Sequence, residues 1–289
     1  MNLLLIHGIA QGGKDPKDLE ASWLEALGKG LAKSQLTMPP DVKVRFPYYG
    51  DVLDDFVAQA DLPADGIVTA KGGPMATEYV QFRARMAEDI REGADIPEEE
   101  IRIDAGPQVG AEKGPQNWGW VLSTLRAIDS RLPSAGSWTI EKFMRDVFLY
   151  TRRDVVRARI DGIVTDLMDD TPTVVVGHSL GSVVAYNVAV NRKPAVTTLL
   201  LTVGSPLGLP AVRENVGTLK NPSGKPGWLN AYDPHDVVAL YPLDKTHFGV
   251  KPAIENHNKV QNWTDNRHGI VGYLDDELVA RTIYAALTA

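Results

Sequence analysis

The stretch TVVVGHSLGSVVAYNVAV, residues 173–190, begins as a β-branched apolar run, ends as an apolar helix-length run, and holds Gly-His-Ser-Leu-Gly between them. A strand that turns at once into a helix forces its corner residue into a strained conformation. Side chains two positions away on either side would collide there, so both positions call for glycine. Gly177 and Gly181 occupy them and Ser179 takes the corner, which predicts a hydroxyl held clear of a sheet edge. A serine hydroxyl at its free pKa is a poor nucleophile. It needs a base within hydrogen-bond reach and a carboxylate that orients the base.

Both should follow in the chain, the acid after a later strand and the base after the last one. His268, in DNRHGIVGYL (265–274), lies after the last expected strand and just before the final helix, and is the candidate base. The other histidines are expected to do structural work: His178 is aimed away by the turn, while His235, His247 and His257 sit before or at the start of that last strand. For the acid, WLNAYDPHDVVALYP (228–242) offers Asp233 and Asp236. Asp233 precedes Pro234, a pair suited to the start of a type I turn, where the carboxylate is occupied by local amides. Asp236 enters the apolar pair Val237-Val238, which would anchor the loop, and is favoured over Asp233.

The segment LLLIHGIAQGGKDP (3–16) reads as a buried strand running into a glycine-rich loop. Gly8, Gly13 and Lys14 approach a nucleotide phosphate loop, but the next residue is Asp15, where that pattern needs Ser or Thr for magnesium. Asp15, Pro16 and Asp18 read instead as the cap, first residue and acidic first turn of a helix. The alternative is an oxyanion site: the tetrahedral intermediate needs two N–H donors, one from the residue after the nucleophile, Leu180, and one from a loop after an early strand. Ile9 is the expected second donor, with Gly8 less favoured, and His7 is expected to organise the loop.

Apolar runs at 2–6, 42–46, 173–177, 197–203, 228–232 and 259–263 suit strands covered on both faces. Helical patterns lie between them: Leu19, Trp23, Leu27 and Leu31 fall on one face, and 140–168, 181–191 and 272–287 have similar spacing. This alternation predicts an α/β fold, a mostly parallel sheet with helices on both faces. Residues 51–139 carry turn-rich and helical sequence with no convincing strand, longer than an ordinary connection, and read as an inserted, mainly helical cap. Helices are expected there over 75–92 and 118–132. The core is then 1–50 and 140–289. Trp118, Trp120 and Trp138 are candidates to line an acyl pocket, although core packing is the more common fate of such residues.

At 289 residues and 44% hydrophobic, the chain can bury a large core. A formal charge of −7 without long like-charged blocks gives no reason to expect a nucleic-acid partner. It contains no cysteine, which excludes disulfides, thiolate nucleophiles and sulfur-ligated metals. No H-E-x-x-H or comparable ligand cluster occurs. No apolar run approaches bilayer length and the first residues lack the layout of a signal peptide, so a cytoplasmic protein without stable membrane insertion is expected.

The strand-His-Gly loop, the Gly-His-Ser-Leu-Gly elbow, the later Asp and the final His together resemble the α/β-hydrolase superfamily, in particular its lipase and esterase-like members. VGSPLGLP (203–210) is similar to such enzymes as well. The fold's usual first hairpin has no counterpart, and the 51–139 insertion resembles no familiar cap. The resemblance implies a serine esterase without a cofactor, acting on a small acyl ester: Ser179 as nucleophile, His268 as base, Asp236 as orienting acid, Ile9 and Leu180 as oxyanion donors. An acyltransferase or thioesterase would use the same residues, and a non-catalytic binding protein could keep the fold.

Overall fold

The computed structural model describes residues 1–60, 62, 73–105, 118–131, 137–193, 196–224 and 227–289. Six strands form one parallel sheet: β1 (Asn2–Ile6), β2 (Lys43–Arg45), β3 (Thr173–His178), β4 (Thr197–Val203), β5 (Gly227–Ala231) and β6 (Glu255–His257), in the order β2-β1-β3-β4-β5-β6. The chain steps outward from β1 to β2 and then returns to the other side of β1 with β3. The β1/β3 junction is therefore where the strand order reverses. Crevices outside the carboxyl ends of strands at such a junction are where open α/β sheets bind ligands.

Between β1 and β2 lies α1 (Pro16–Lys33). Asp15 caps it by accepting the Lys17 N–H, Pro16 opens it and Asp18 lies in its first turn, as the residue types dictate. Between β2 and β3 the described chain runs through α2 (Gly50–Gln59), α3 (Pro74–Gly93), α4 (Glu98–Ala105), α5 (Trp118–Arg131), α6 (Ser137–Arg152) and α7 (Asp154–Thr165), with no strand among the described residues. Then follow α8 (Leu180–Val190) after β3, α9 (Pro210–Arg213) after β4, α10 (Lys245–Phe248) after β5, and α11 (Ile270–Leu274) and α12 (Glu277–Thr288) after β6.

The two-residue period of the strands sorts their side chains into two apolar cores, one on each face of the sheet. Leu4, Ile6, Val175 and Leu200 face a core shared with α3, α5, α6, α7 and α8. Leu3, Leu5, Val174, Val176, Leu199 and Leu201 face a second core closed by α1, α11 and α12. Phe82 and Met86 of α3 and Trp120 of α5 pack in the first core together with the sheet. The side chains of Trp118 and Trp138 lie outside the described residues.

Three expectations need correction. KVQNW (259–263) is not a strand; the last strand is the polar triplet Glu255–His257 at the sheet edge, while Val260 and Asn262 are buried without ladder pairing. The helix expected over 140–168 is two, broken at Arg153, whose extended backbone starts α7. The helix expected over 272–287 is also two, because Asp276 turns its carboxylate to the N–H groups of Leu278 and Val279 and caps a new helix.

Candidate active site

Ser179 sits at the corner between β3 and α8 with φ 55° and ψ −129°, a region costly for any residue with a Cβ. The elbow leaves no room beside it. A Cβ on Gly181 would lie 2.3 Å from the carbonyl oxygens of both Ile6 and His7, so the helix can start against β1 only with glycine there. Ser179 is buried, and its Oγ makes no hydrogen bond. It opens on a cavity of about 340 Å³ at the carboxyl ends of the strands.

His268 lines the same cavity. Its Nδ1 is 2.7 Å from Asp236 Oδ2. An ionised carboxylate can only accept, so Nδ1 carries the proton and Nε2 is left as an acceptor. That Nε2 is buried and makes no hydrogen bond either. Ser179 and His268 thus line one cavity, with Oγ and Nε2 both unbonded. Leu180, the next residue in the chain, is the first of α8, and Ile9, in the loop after β1, lines the same cavity as Ser179. The first N–H groups of a helix have no intrahelical partner, which leaves the Leu180 donor available.

The carboxylate is set by its neighbours. Asp236 is fully buried and receives three donors: His268 Nδ1–H, the Tyr273 hydroxyl at 2.5 Å on the same Oδ2, and the Val238 N–H at 2.9 Å on Oδ1. Charge-assisted bonds of this kind offset the loss of hydration. Burial and the adjacent Asp236 charge push the Tyr273 phenol well above its ordinary pKa, so it remains a donor. Asp233, the other candidate acid, is equally buried but turned elsewhere. It accepts from His235 N–H (2.8 Å) and, across the fold, from Asn262 N–H (2.8 Å). Its work is to pin the loop before His268, which Asn262 and Thr264 also hold through Gly269.

His178 has a part that residue order did not suggest. Its Nε2 lies 2.7 Å from the His268 carbonyl, so it must carry a proton and donate, and its ring packs 4.7 Å from the His268 ring. Burial first, and His268 second, hold its pKa well below the ordinary histidine value, which keeps it neutral beside His268. His7 organises the loop after β1: Nδ1–H donates to the Gly8 carbonyl (2.8 Å), Nε2 accepts the Tyr49 N–H (3.1 Å), and the Tyr49 hydroxyl donates to the His7 carbonyl. Burial pushes His7 down to about 4, so both ring nitrogens keep these roles at neutral pH. His235, His247 and His257 pair with Asp233, Asp244 and Asp276, and none of the three lines the cavity. Trp120 is buried away from the cavity. Among the described residues no cluster of three or more His, Asp or Glu could hold a metal ion, and no helix is long and apolar enough to cross a membrane.

A parallel sheet with helices on both faces, and a serine elbow at the strand ends, define a hydrolase-like protein of the α/β class. Residues 127–284 match the family model described as the alpha/beta hydrolase family, and the chain belongs to that family. No curated protein matches the chain.

Proposed function

We propose that the protein is a serine hydrolase that cleaves carboxylic esters through an acyl-enzyme. Ser179 Oγ attacks the ester carbonyl while His268 Nε2 takes its proton, and Asp236 keeps the imidazole oriented and offsets its positive charge. The N–H groups of Leu180 and Ile9 receive the oxyanion. Collapse of the tetrahedral intermediate expels the alcohol, which takes the proton from His268. A water activated by the same nitrogen then releases the acid and restores Ser179. In this reading residues 51–139 act as a cap over the site, and the small ester is the only partner required.

One observation carries the reading: an unbonded, buried Ser179 hydroxyl on a strained corner shares a cavity with a histidine locked by its other nitrogen to a buried carboxylate. Strain and burial of this kind persist only where the surroundings impose them, and they concentrate at working sites. A fluorophosphonate should label Ser179 stoichiometrically. Ser179→Ala should abolish labelling and lower kcat on p-nitrophenyl butyrate by on the order of 10⁴-fold or more. Wild-type protein that is neither labelled nor active on any ester would mean a binding protein on the same fold. Product analysis with added alcohols or thioesters separates a hydrolase from an acyltransferase or thioesterase.

A further inference from the structure

The cavity is built between the two cores, and its two walls differ in chemistry. On one side stand Ile90 of α3, Ile140 and Phe143 of α6, and Val237 and Val238 after β5, all buried in or packed with the first core. Among the described residues that wall has no polar side chain. On the other side stand Leu19, Ser22 and Trp23 of α1 with Asn266 and Ile270, and Trp23 and Ile270 belong to the second core. Gln11 and Lys14 line the cavity at the loop that leads into α1, Lys14 Nζ donating to Gln11 Oε1 at 3.1 Å.

The position of His268 tells the walls apart. Its ring contacts His178, which meets Trp23 edge-on with centroids 6.2 Å apart, and Asn266 and Ile270 are its chain neighbours. The base must hand its proton to the leaving oxygen, so the alcohol half of the ester lies on the α1 side. The acyl half then lies against the five apolar residues of the other wall. Size sets its length. An apolar cavity of about 150 Å³ takes one benzene, so a cavity of about 340 Å³ has room for roughly fourteen non-hydrogen atoms shared by both halves. A palmitoyl group alone exceeds that, whereas a four- to six-carbon acyl group leaves space for a small alcohol.

From this division we infer that the substrate is an ester of a short hydrocarbon acid, of about four to six carbons, with a small polar alcohol. The acyl chain packs on Phe143 and Ile140, and the alcohol meets Ser22, Asn266 and the Gln11–Lys14 rim. This rests on the esterase reading of Ser179.

Two substrate series test it, with active sites counted by fluorophosphonate titration. Along p-nitrophenyl acetate, butyrate, hexanoate, octanoate and palmitate, kcat/KM should rise by about fourfold per methylene that finds room, peak at butyrate or hexanoate, and fall at least tenfold by palmitate. Along butyrate esters of fixed acyl group, the glyceryl ester should exceed the octyl ester. Phe143→Ala should move the acyl optimum to longer chains and leave the glyceryl-to-octyl ratio in place. Ile140→Ala serves the same end should the first variant fold poorly. Ser22→Leu, at an exposed position, should lower the glyceryl-to-octyl ratio without moving the acyl optimum. Palmitate matching butyrate, or both kinds of variant shifting the same series, would overturn the inference while leaving Ser179 labelled. Absence of labelling and of all turnover would instead remove the esterase reading beneath it.

Discussion

Replacing Gly204 by alanine puts a methyl group against Tyr273 and the Asp236–His268 pair. Gly204 follows β4 with φ 55°, and a Cβ there would lie 3.0 Å from Tyr273 Cε2, 3.1 Å from Asp236 Oδ2 and 3.1 Å from His268 Cε1. Each is a few tenths of an ångström closer than ordinary contact. The backbone term for a Cβ in this conformation is about 1–2 kcal/mol, and forcing a methyl into a filled site adds about 1–3 kcal/mol. Because the displaced groups are the imidazole, its carboxylate and the phenol that shares it, the damage should extend to catalysis. A misplacement of 1 Å costs about 10²-fold, so a shift of a few tenths should lower kcat by about three- to tenfold. Gly217 supplies the control: φ is 72° and nothing lies within 4 Å of its Cβ position, so Gly217→Ala has the backbone strain alone. Urea unfolding should place Gly204→Ala below Gly217→Ala in stability, and kcat on a butyryl ester, per titrated active site, should fall only in the former. Equal kcat in the two variants would refute the assignment of Gly204 as a spacer for the Asp236–His268 pair.

Asp236→Asn should lower kcat by on the order of 10⁴-fold, because the amide no longer fixes the Nδ1–H tautomer. Asp233→Asn, whose side chain keeps an oxygen for the His235 or Asn262 N–H, should lose stability by about 1–3 kcal/mol and far less activity; kcat and urea midpoints of both variants check the contrast. Asp146 of α6 is fully buried, with its carboxylate 3.4 Å from Lys142 Nζ and 3.7 Å from Arg145 Nε and no hydrogen bond. Burial raises it to about 6 from 3.8, so the folded protein holds this proton more tightly than the unfolded chain and loses stability as pH rises from about 4 to 6. Asp146→Asn removes that loss. Its stability relative to wild type should improve across the same interval, by up to about 3 kcal/mol, and then level off, as urea unfolding between pH 4 and 7.5 will read; a pH-independent difference would contradict the burial argument.

Some of this architecture could be read in residue order and some could not, for reasons particular residues make plain. The elbow is a local constraint: the corner and its two glycines lie within five residues, so nothing distant has to be known. The α1 cap was legible for the same reason, since Asp15, Pro16 and Asp18 act on their own backbone. The last strand was misread because an edge triplet such as Glu-Asn-His is held by Asn256 side-chain bonds and ladder pairing with β5, which hydrophobicity does not report. The break before α12 was signalled by Asp275-Asp276 ahead of an apolar helix, a capping pattern that the longer periodicity obscured. Asp236 and Asp233 could be ranked from turn chemistry, but their separate partners, His268 and Asn262, are long-range. Tyr273 and His178 had no local signature: both are defined by bonds to residues more than thirty positions away.

The pairing of β1 with β3 has a consequence during synthesis. Asn2 registers with Thr173, and until β3 emerges the only sheet neighbour of the fully buried Leu3–Ile6 segment is the three-residue β2. At translation rates of 5–20 residues per second, the stretch from Arg45 to Thr173 keeps this apolar segment half-paired for roughly six to twenty-six seconds. The loop after β1 is thus made long before the elbow it packs beside, and chain elongation itself delays the appearance of the complete cavity.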